Sequence, residues 1–363
     1  MSPISFVMAC FSVLGALDLI IGNKFGLGKQ FERGLMLIAV MAMSMVGMLV
    51  LAPLIGYFLQ PAANALGSLL SIEPSVIPAM ILANDMGGYP LAMEFASNEQ
   101  AGYYNGLIVS AMMGVTISFN IPFAMGVVPK EKHESLLLGI LCGIVTTPVG
   151  SLIAAFVVGL PLQAALGSIL PLSLFAIILA VLLFLFPGPC VKVFKVLGVV
   201  ITTIILIGLA AGIFEGLTGI EIIPYTAPIE EAFDVCVTAA MALSGAFPLV
   251  YIVSKILDKP MKKLGGLIGV NAVSALGFLS TLATNATTYG NMQDMDEKGV
   301  MLNGAFSVSA ASVFGGHLAF TLTFNPDYAL GMIVGKLVAG ICAVVVAIVL
   351  YKILQKKKAK ESV

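Results

Sequence analysis

The amino-acid sequence predicts an all-α polytopic membrane protein. Its 363 residues are 59% hydrophobic and only 10% charged, whereas soluble domains carry about 25% charged residues. Apolar stretches of the roughly 20 residues needed to span a bilayer recur along the chain. Nine are uninterrupted, at 3–22, 34–58, 103–128, 134–158, 166–186, 192–214, 230–257, 300–324 and 329–354. Two more, at 74–97 and 264–290, are apolar but interrupted, so we expect nine to eleven membrane segments.

The interruptions are two similar polar sequences, 200 positions apart. The first island is Leu82-Ala83-Asn84-Asp85-Met86-Gly87-Gly88-Tyr89, and the second island is Leu282-Ala283-Thr284-Asn285-Ala286-Thr287-Thr288-Tyr289. An Asp at the centre of a membrane helix costs roughly 2.5 to 3.5 kcal/mol on insertion scales, so it calls for a partner or a ligand. We therefore expect the function of the chain to reside at these islands.

The positions of Lys and Arg predict how the segments are arranged, since cytoplasmic loops are enriched in these residues. If all eleven segments crossed, nine basic residues would lie on one face and eight on the other. If 74–97 and 264–290 are instead re-entrant, all 17 share one face and only Lys336, within a span, is left over. We therefore expect nine crossings and two re-entrant segments, with the N-terminus outside and the C-terminus inside. The alternative is an unwound helix that crosses.

The two halves also match outside the islands. Asn98-Glu99-Gln100 before Asn105-Gly106 corresponds to Asp296-Glu297-Lys298 before Asn303-Gly304, at an offset of 198 residues. An odd number of crossings between the copies would invert them, as in many secondary transporters. We expect one transmembrane domain over 1–363, with a first repeat half at 1–160, a linking helix region at 161–190, a second repeat half at 191–354 and a basic cytoplasmic tail at 355–363.

Seven polar side chains are candidate substrate contacts. Asp85 could meet a cation, or it could cap a half-helix through backbone amides. Its counterpart Asn285 is neutral, so the two islands together hold one formal charge. The tyrosines could offer a hydroxyl or a ring face to a cation, although packing is an equal alternative. The full set is Asn84, Asp85, Tyr89, Asn105, Asn285, Tyr289 and Asn303.

Two further polar residues lie within apolar segments. Asp18 is an intramembrane carboxylate whose proximity to Lys24 favours snorkelling toward the following loop. His317 follows Gly315-Gly316 and could sense pH. A single His without carboxylates at helical spacing favours helix packing instead.

The sequence lacks the motifs of several other protein classes. The five cysteines are scattered without a CxxC pair, and no phosphate-binding loop, HExxH or GxSxG motif occurs. The net charge of −1 argues against nucleic-acid binding. We therefore expect no catalytic residues, no metal, no cofactor and no nucleic-acid partner. The expected partners are a small solute and the lipid bilayer, and a homo-oligomer is left open.

One long string is specific enough to indicate a family. Ile81-Leu82-Ala83-Asn84-Asp85-Met86-Gly87-Gly88-Tyr89-Pro90-Leu91-Ala92, followed by Phe119-Asn120-Ile121-Pro122-Phe123 and Leu282-Ala283-Thr284-Asn285, resembles the EutH family, the permeases encoded with bacterial ethanolamine-utilisation enzymes. The similarity extends over essentially the whole chain. The resemblance implies a multi-pass plasma-membrane permease that moves ethanolamine into the cell, above all in acid. It carries over no assigned substrate contacts.

Alternatives to this function differ in substrate or in class. An ion-coupled secondary transporter of another small polar solute would use the same islands. An intramembrane enzyme would need a nucleophile and a base within reach, which the sequence does not offer. A scaffold would not explain paired polar islands in apolar segments.

Overall fold

The computed structural model describes residues 2–361, and this part of the chain contains helices and no β-strand. The predicted all-α class is therefore confirmed. The helices of the N-terminal part are α1 Pro3–Ile20, α2 Leu27–Leu70, α3 Val76–Ile81, α4 Gly88–Phe95, α5 Glu99–Val127, α6 His133–Val157 and α7 Leu162–Leu185. Those of the C-terminal part are α8 Pro187–Thr218, α9 Ile229–Ile268, α10 Ala272–Ala283, α11 Asn285–Gly290, α12 Glu297–Ala310, α13 Gly316–Phe324 and α14 Ala329–Glu361.

Within residues 2–361, eight helices are long and apolar enough to cross a membrane: α1, α2, α5, α6, α7, α8, α9 and α14. They coincide with eight of the nine uninterrupted segments. The prediction of one continuous span at 300–324 was wrong, because α12 ends at Ala310 and α13 begins only at Gly316. Between them Ser312 takes a left-handed backbone conformation, with φ 54. The predicted tail at 355–363 continues α14 as helix to Glu361, and its last two positions lie outside the described residues.

The centre of the fold is formed by α5 and α12. In the most apolar stretch of α5, 83% of the residues are buried. π-helical turns at Asn105–Gly114 and Thr116–Asn120 widen this helix. α6 packs against both α12 and α14, while α9 packs against α1 and α2. The outer helices expose large apolar side chains, among them Ile20, Phe184 and Leu217. Such an apolar surface is suited to contact with lipid.

Asp18 joins the first two long helices. Its carboxylate accepts hydrogen bonds from the backbone N–H groups of Phe25 at 2.9 Å, Leu27 at 2.7 Å and Gly28 at 2.9 Å. Only 2% of Asp18 is exposed. The carboxylate therefore turns toward the loop after α1, where it satisfies free amides at the start of α2 and is shielded from solvent.

Candidate functional site

The first break separates α3 from α4 at residues 82–87, within the first island. Leu82 is extended, Asn84–Met86 form a single 3₁₀ turn, and Gly87 has φ 107, a conformation that favours glycine. Pro90 then lies in the first turn of α4, where its missing N–H removes no helical hydrogen bond. The chain thus leaves and re-enters helix within six residues.

Serine hydroxyls of α5 satisfy the backbone of the first break. Ser110 donates from Oγ to the carbonyl of Leu82 at 2.7 Å, and the N–H of Ala83 donates to Oγ of Ser118 at 3.0 Å. Non-helical backbone at membrane depth is tolerated only where protein or water supplies such partners. The intact helix α5 supplies them here.

The second break separates α10 from α11 at Thr284, which is extended with φ −161 and ψ 129. Its neighbouring carbonyls are satisfied by a third break, residues 311–315 between α12 and α13. The N–H of Ser312 donates to Thr281 O at 2.9 Å, and the N–H of Phe314 donates to Leu282 O at 2.9 Å. This backbone pairing is the physical reason why the segment at 300–324 is not one helix.

All three breaks line one cavity of about 250 Å³. The first break contributes Ala83, Asp85 and Met86, the second contributes Thr284 and Asn285, and the third contributes Ala311 and Ser312, followed by Gly316 and His317 of α13. Val40 and Ser44 of α2 and Val115 and Phe119 of α5 complete the wall. The structure therefore brings together the two islands that lie 200 positions apart in the sequence.

Asp85 is half-buried and faces this cavity. Among the side chains that the structure describes, one ion pair occurs, between Lys262 and Asp258 on the surface, so Asp85 has no salt-bridge partner there. Its neighbour Asn84 is fully buried, and neither Oδ1 nor Nδ2 has a hydrogen-bond partner among the described residues. Buried amides are nearly always paired, so Asn84 retains unused hydrogen-bonding capacity beside the carboxylate.

Asn285 and Tyr289 are tied to neighbouring helices. Asn285 reaches the cavity and donates from Nδ2 to Oδ1 of Asn120 on α5. The hydroxyl of Tyr289 lies 2.8 Å from Oγ of Ser307 on α12, and this tyrosine is fully buried. Both side chains therefore hold the second break against the central helices.

Of the seven predicted contacts, only Asp85 and Asn285 line the cavity, and Asn84, Tyr89, Asn105, Tyr289 and Asn303 lie outside its wall. Tyr89 packs with its ring centroid 4.0 Å from that of Phe324. Asn105 donates from Nδ2 to Oγ of Ser75 at 2.8 Å, and Asn303 donates from Nδ2 to Ser274 O at 2.8 Å. Each asparagine links its helix to the segment that precedes a break. The substrate roles of all seven residues stay predictions.

A pair that the sequence did not connect lies beside the cavity. Nζ of Lys336, on α14, is 2.9 Å from Nδ1 of His317 and also donates to the carbonyl of Ala111. Lys336 is fully buried. The sequence did contain one indication of this pair. A lysine within a membrane span is costly, and intramembrane charges mark functional positions by default. Among the described residues, no cluster of three or more His, Cys, Asp or Glu could hold a metal.

Comparisons with known proteins give a consistent result. The family model described as "Ethanolamine utilisation protein, EutH" matches residues 2–350. The chain is 42% identical over 359 residues to a probable ethanolamine permease EutH of Listeria monocytogenes, covering 99% of this chain and 96% of the relative. It is 34% identical to the probable ethanolamine permease EutH of Salmonella typhimurium, covering 96% and 94%. An uncharacterized protein YxeR of Bacillus subtilis is 35% identical, covering 94% and 92%. No solved structure matches the chain significantly.

Proposed function

Because the chain belongs to the EutH family, we propose that it moves ethanolamine, in its protonated form, into the cell. The chain is a permease and not an enzyme, and it is a multi-pass protein of the bacterial inner membrane. The observation that carries the proposal is the cavity of about 250 Å³ in which the lone carboxylate of Asp85 faces polar groups of the second and third breaks.

The size and polarity of the cavity suit a small ammonium alcohol. Pockets for drug-sized ligands usually measure about 300 to 1,000 Å³, so this cavity is on the scale of a smaller solute. Asp85 supplies a negative charge for an ammonium group, and Thr284, Asn285 and Ser312 supply hydroxyl, amide and backbone groups for an alcohol. Asn84, next to Asp85 in the sequence, does not line the cavity, but its side-chain amide has no hydrogen-bond partner among the described residues at the same break.

The protonated substrate explains why a protein route matters most in acid. An alkyl ammonium group has a reference pKa of about 10.4, as in lysine. Each unit by which the pH falls therefore lowers the uncharged, freely permeant fraction about tenfold. At about pH 5 to 6 diffusion of the neutral amine is slow, and transport of the cation becomes the faster route.

We also infer that the two halves are inverted repeats, with the first and second breaks in re-entrant segments. The positions of the helix ends support the repeat, and the distribution of basic residues supports the inversion. Ser71, directly after α2, has φ 53, and Gly269, directly after α9, has φ 70. Their offset of 198 residues equals the offset between the matching sequences. In such transporters the broken helices of the two repeats form the substrate site near the midplane.

Substitution of Asp85 tests the substrate role. Labelled ethanolamine uptake is measured at about pH 5 to 6 in cells that lack this chain and carry the wild type, Asp85→Asn or Asp258→Asn at matched expression. We expect Asp85→Asn to lose most uptake, because the amide cannot balance an ammonium charge. Asp258→Asn should transport normally, since Asp258 lies in an exposed ion pair with Lys262. Undiminished uptake by Asp85→Asn would remove Asp85 from the mechanism.

A thermal-shift screen separates ethanolamine from other solutes. The purified chain is heated with ethanolamine, amino acids, nucleosides or Na⁺, because a ligand that binds the folded state raises the melting temperature. Stabilisation by ethanolamine supports the proposal. Stabilisation by another solute together with Na⁺, and none by ethanolamine, would indicate an ion-coupled transporter of that solute.

A further inference from the structure

Lys336 and His317 form a buried pair beside the cavity, and ethanolamine binding at Asp85 does not by itself account for it. Nζ of Lys336 is 2.9 Å from Nδ1 of His317, and the ammonium group also donates to Ala111 O. His317 belongs to the cavity wall that Asp85 completes from the first break. The pair therefore connects the interior of α14 to the cavity.

The geometry limits the charge of this pair. Two positive charges 2.9 Å apart in a buried site repel too strongly to coexist. An ammonium group beside a neutral imidazole is favourable instead, because an unprotonated Nδ1 can accept its hydrogen bond. The pair consequently holds at most one positive charge and behaves as a single site for one proton.

Asp85 is the carboxylate in the cavity wall that includes His317. The segments that pack against α14 carry other titratable groups, which lie elsewhere. The helices with the most extensive contacts are α6 and α12, followed by α13, α5 and the turn at Pro326–Tyr328. Their titratable side chains, apart from His317, are Glu99, Tyr103, Tyr104, His133, Glu134, Cys142, Glu297, Lys298, Asp327 and Tyr328.

Most of these groups lie at the ends of their helices. Glu99 precedes Ala111 by twelve residues, which is about 18 Å along a helix. α6 meets α14 where Gly150 contacts Gly335, sixteen residues beyond Glu134. Tyr104 donates its hydroxyl hydrogen to Ser151 O at 2.7 Å.

Glu297 and Lys298 begin α12, whereas Phe306 and Ala310 at its other end face Gly340. Asp85 is the carboxylate that lines the same cavity as His317.

A cation at Asp85 and a charge on the pair would repel each other across the cavity. A sphere of 250 Å³ is about 8 Å across, so charges on opposite sides of the cavity are about that far apart. At the effective dielectric constant of a protein, repulsion between two like charges at this distance weakens binding of the cation about tenfold or more. The effect is reciprocal: a cation at Asp85 favours loss of the proton from the pair by the same factor.

We propose that the Lys336–His317 pair is a proton site that exchanges with the cationic substrate. This rests on the proposed transport of protonated ethanolamine. When the substrate ammonium binds at Asp85, an N–H bond of the Lys336 ammonium breaks, its electron pair stays on Nζ, and the proton passes to water. When the substrate leaves, the pair takes up a proton again. One positive charge therefore balances Asp85 in either state, and transport exchanges one ethanolammonium for one proton without net charge movement.

Calorimetry of the purified full chain tests the exchange directly. Ethanolamine is titrated into wild type, Lys336→Met and Lys192→Met in buffers of different ionisation enthalpy, between about pH 5 and pH 9. For the wild type we expect a pH interval in which close to one proton is released per ethanolamine bound and the affinity rises about tenfold or more. Lys336→Met leaves the His317 imidazole as the one titratable member of the pair, so proton release should disappear from the pH interval in which the wild type shows it. Lys192 is exposed, so Lys192→Met should resemble the wild type.

His317→Gln covers the case in which Lys336→Met does not fold. Glutamine retains an acceptor for the lysine, so the variant should still release one proton, at a shifted pH. Ethanolamine binding by the wild type without proton release at any pH would overturn this inference and leave the proposed function standing. Release by Lys336→Met that is unchanged in amount and pH interval would do the same. Absence of ethanolamine binding by the wild type at every pH would overturn both.

Proteoliposomes supply a second readout. Exchange predicts that ethanolamine uptake by the wild type makes the lumen alkaline faster than in protein-free liposomes and does not respond to an imposed membrane potential. Uptake that accelerates when the lumen is made negative, without the extra alkalinisation, would contradict the exchange and indicate movement of the cation alone.

Discussion

The backbone N–H of Ala83, in the first break, donates a hydrogen bond to Oγ of Ser118 on α5, 3.0 Å away. Beside the second break the backbone has other partners: the N–H groups of Ser312 and Phe314 donate to the carbonyls of Thr281 and Leu282. The two halves therefore satisfy their broken backbones differently. An intact helix contributes hydroxyls in one half, and a third break contributes amides in the other.

Substitution of Ser118 by alanine should destabilise the first break. The change leaves the buried N–H of Ala83 without an acceptor, and a buried unsatisfied group costs about 1 to 3 kcal/mol. We expect a lower melting temperature in detergent and reduced ethanolamine uptake.

Ser173→Ala is the matched control for this experiment. Its hydroxyl donates to Ile169 O at 2.7 Å within its own helix, α7, far from the cavity wall. The free energy of unfolding of that variant should lie within about 0.5 kcal/mol of the wild-type value, and its melting temperature should be close to that of the wild type. Equal melting temperatures for Ser118→Ala and the wild type would show that the hydrogen bond to Ala83 contributes nothing.

The sequence predicted the eight long helices well because long apolar runs have few other stable structures. It also located the first and second breaks, since Asn84, Asp85 and Asn285 are costly inside a membrane. The third break was not predicted because Ser312 is the one polar side chain in residues 311–315. The backbone of this break is paired with Thr281 and Leu282 from another segment. Likewise, Lys336 and His317 lie 19 residues apart on different helices, and only folding brings them together.

Gly114 should not tolerate even a methyl group. A Cβ at this position of α5 would lie 1.9 Å from Leu82 O and 2.7 Å from Ala79 O, both of them backbone atoms that cannot rotate away. Overpacking of this kind costs typically about 1 to 3 kcal/mol and occasionally more. We expect Gly114→Ala to separate α5 from the first break and to lose both thermal stability and uptake.

Gly126, on the same helix, supplies the comparison. A Cβ there would meet nothing within 4 Å, and alanine favours helix over glycine by roughly 0.5 to 1 kcal/mol. Gly126→Ala should therefore be as stable as the wild type or slightly more so. If Gly114→Ala matched it in melting temperature and uptake, the close approach of α5 to Leu82 would not be required.

Cysteine labelling from outside the cell tests the proposed inverted arrangement. Ser97 follows α4 and Asp294 follows α11, so they occupy comparable places after the first and second breaks, and both are exposed. Because re-entrant segments place all basic loops on the cytoplasmic face, Ser97 should lie outside and Asp294 inside. In a background with the five native cysteines replaced, an impermeant maleimide should label Ser97→Cys in intact cells and Asp294→Cys only after permeabilisation.

Glu221→Cys and Lys192→Cys serve as the outer and inner references, since acidic loops are expected outside and basic ones inside. Labelling of Asp294→Cys but not Ser97→Cys in intact cells would overturn the arrangement, and labelling of both would mean that the two breaks do not enter from opposite faces.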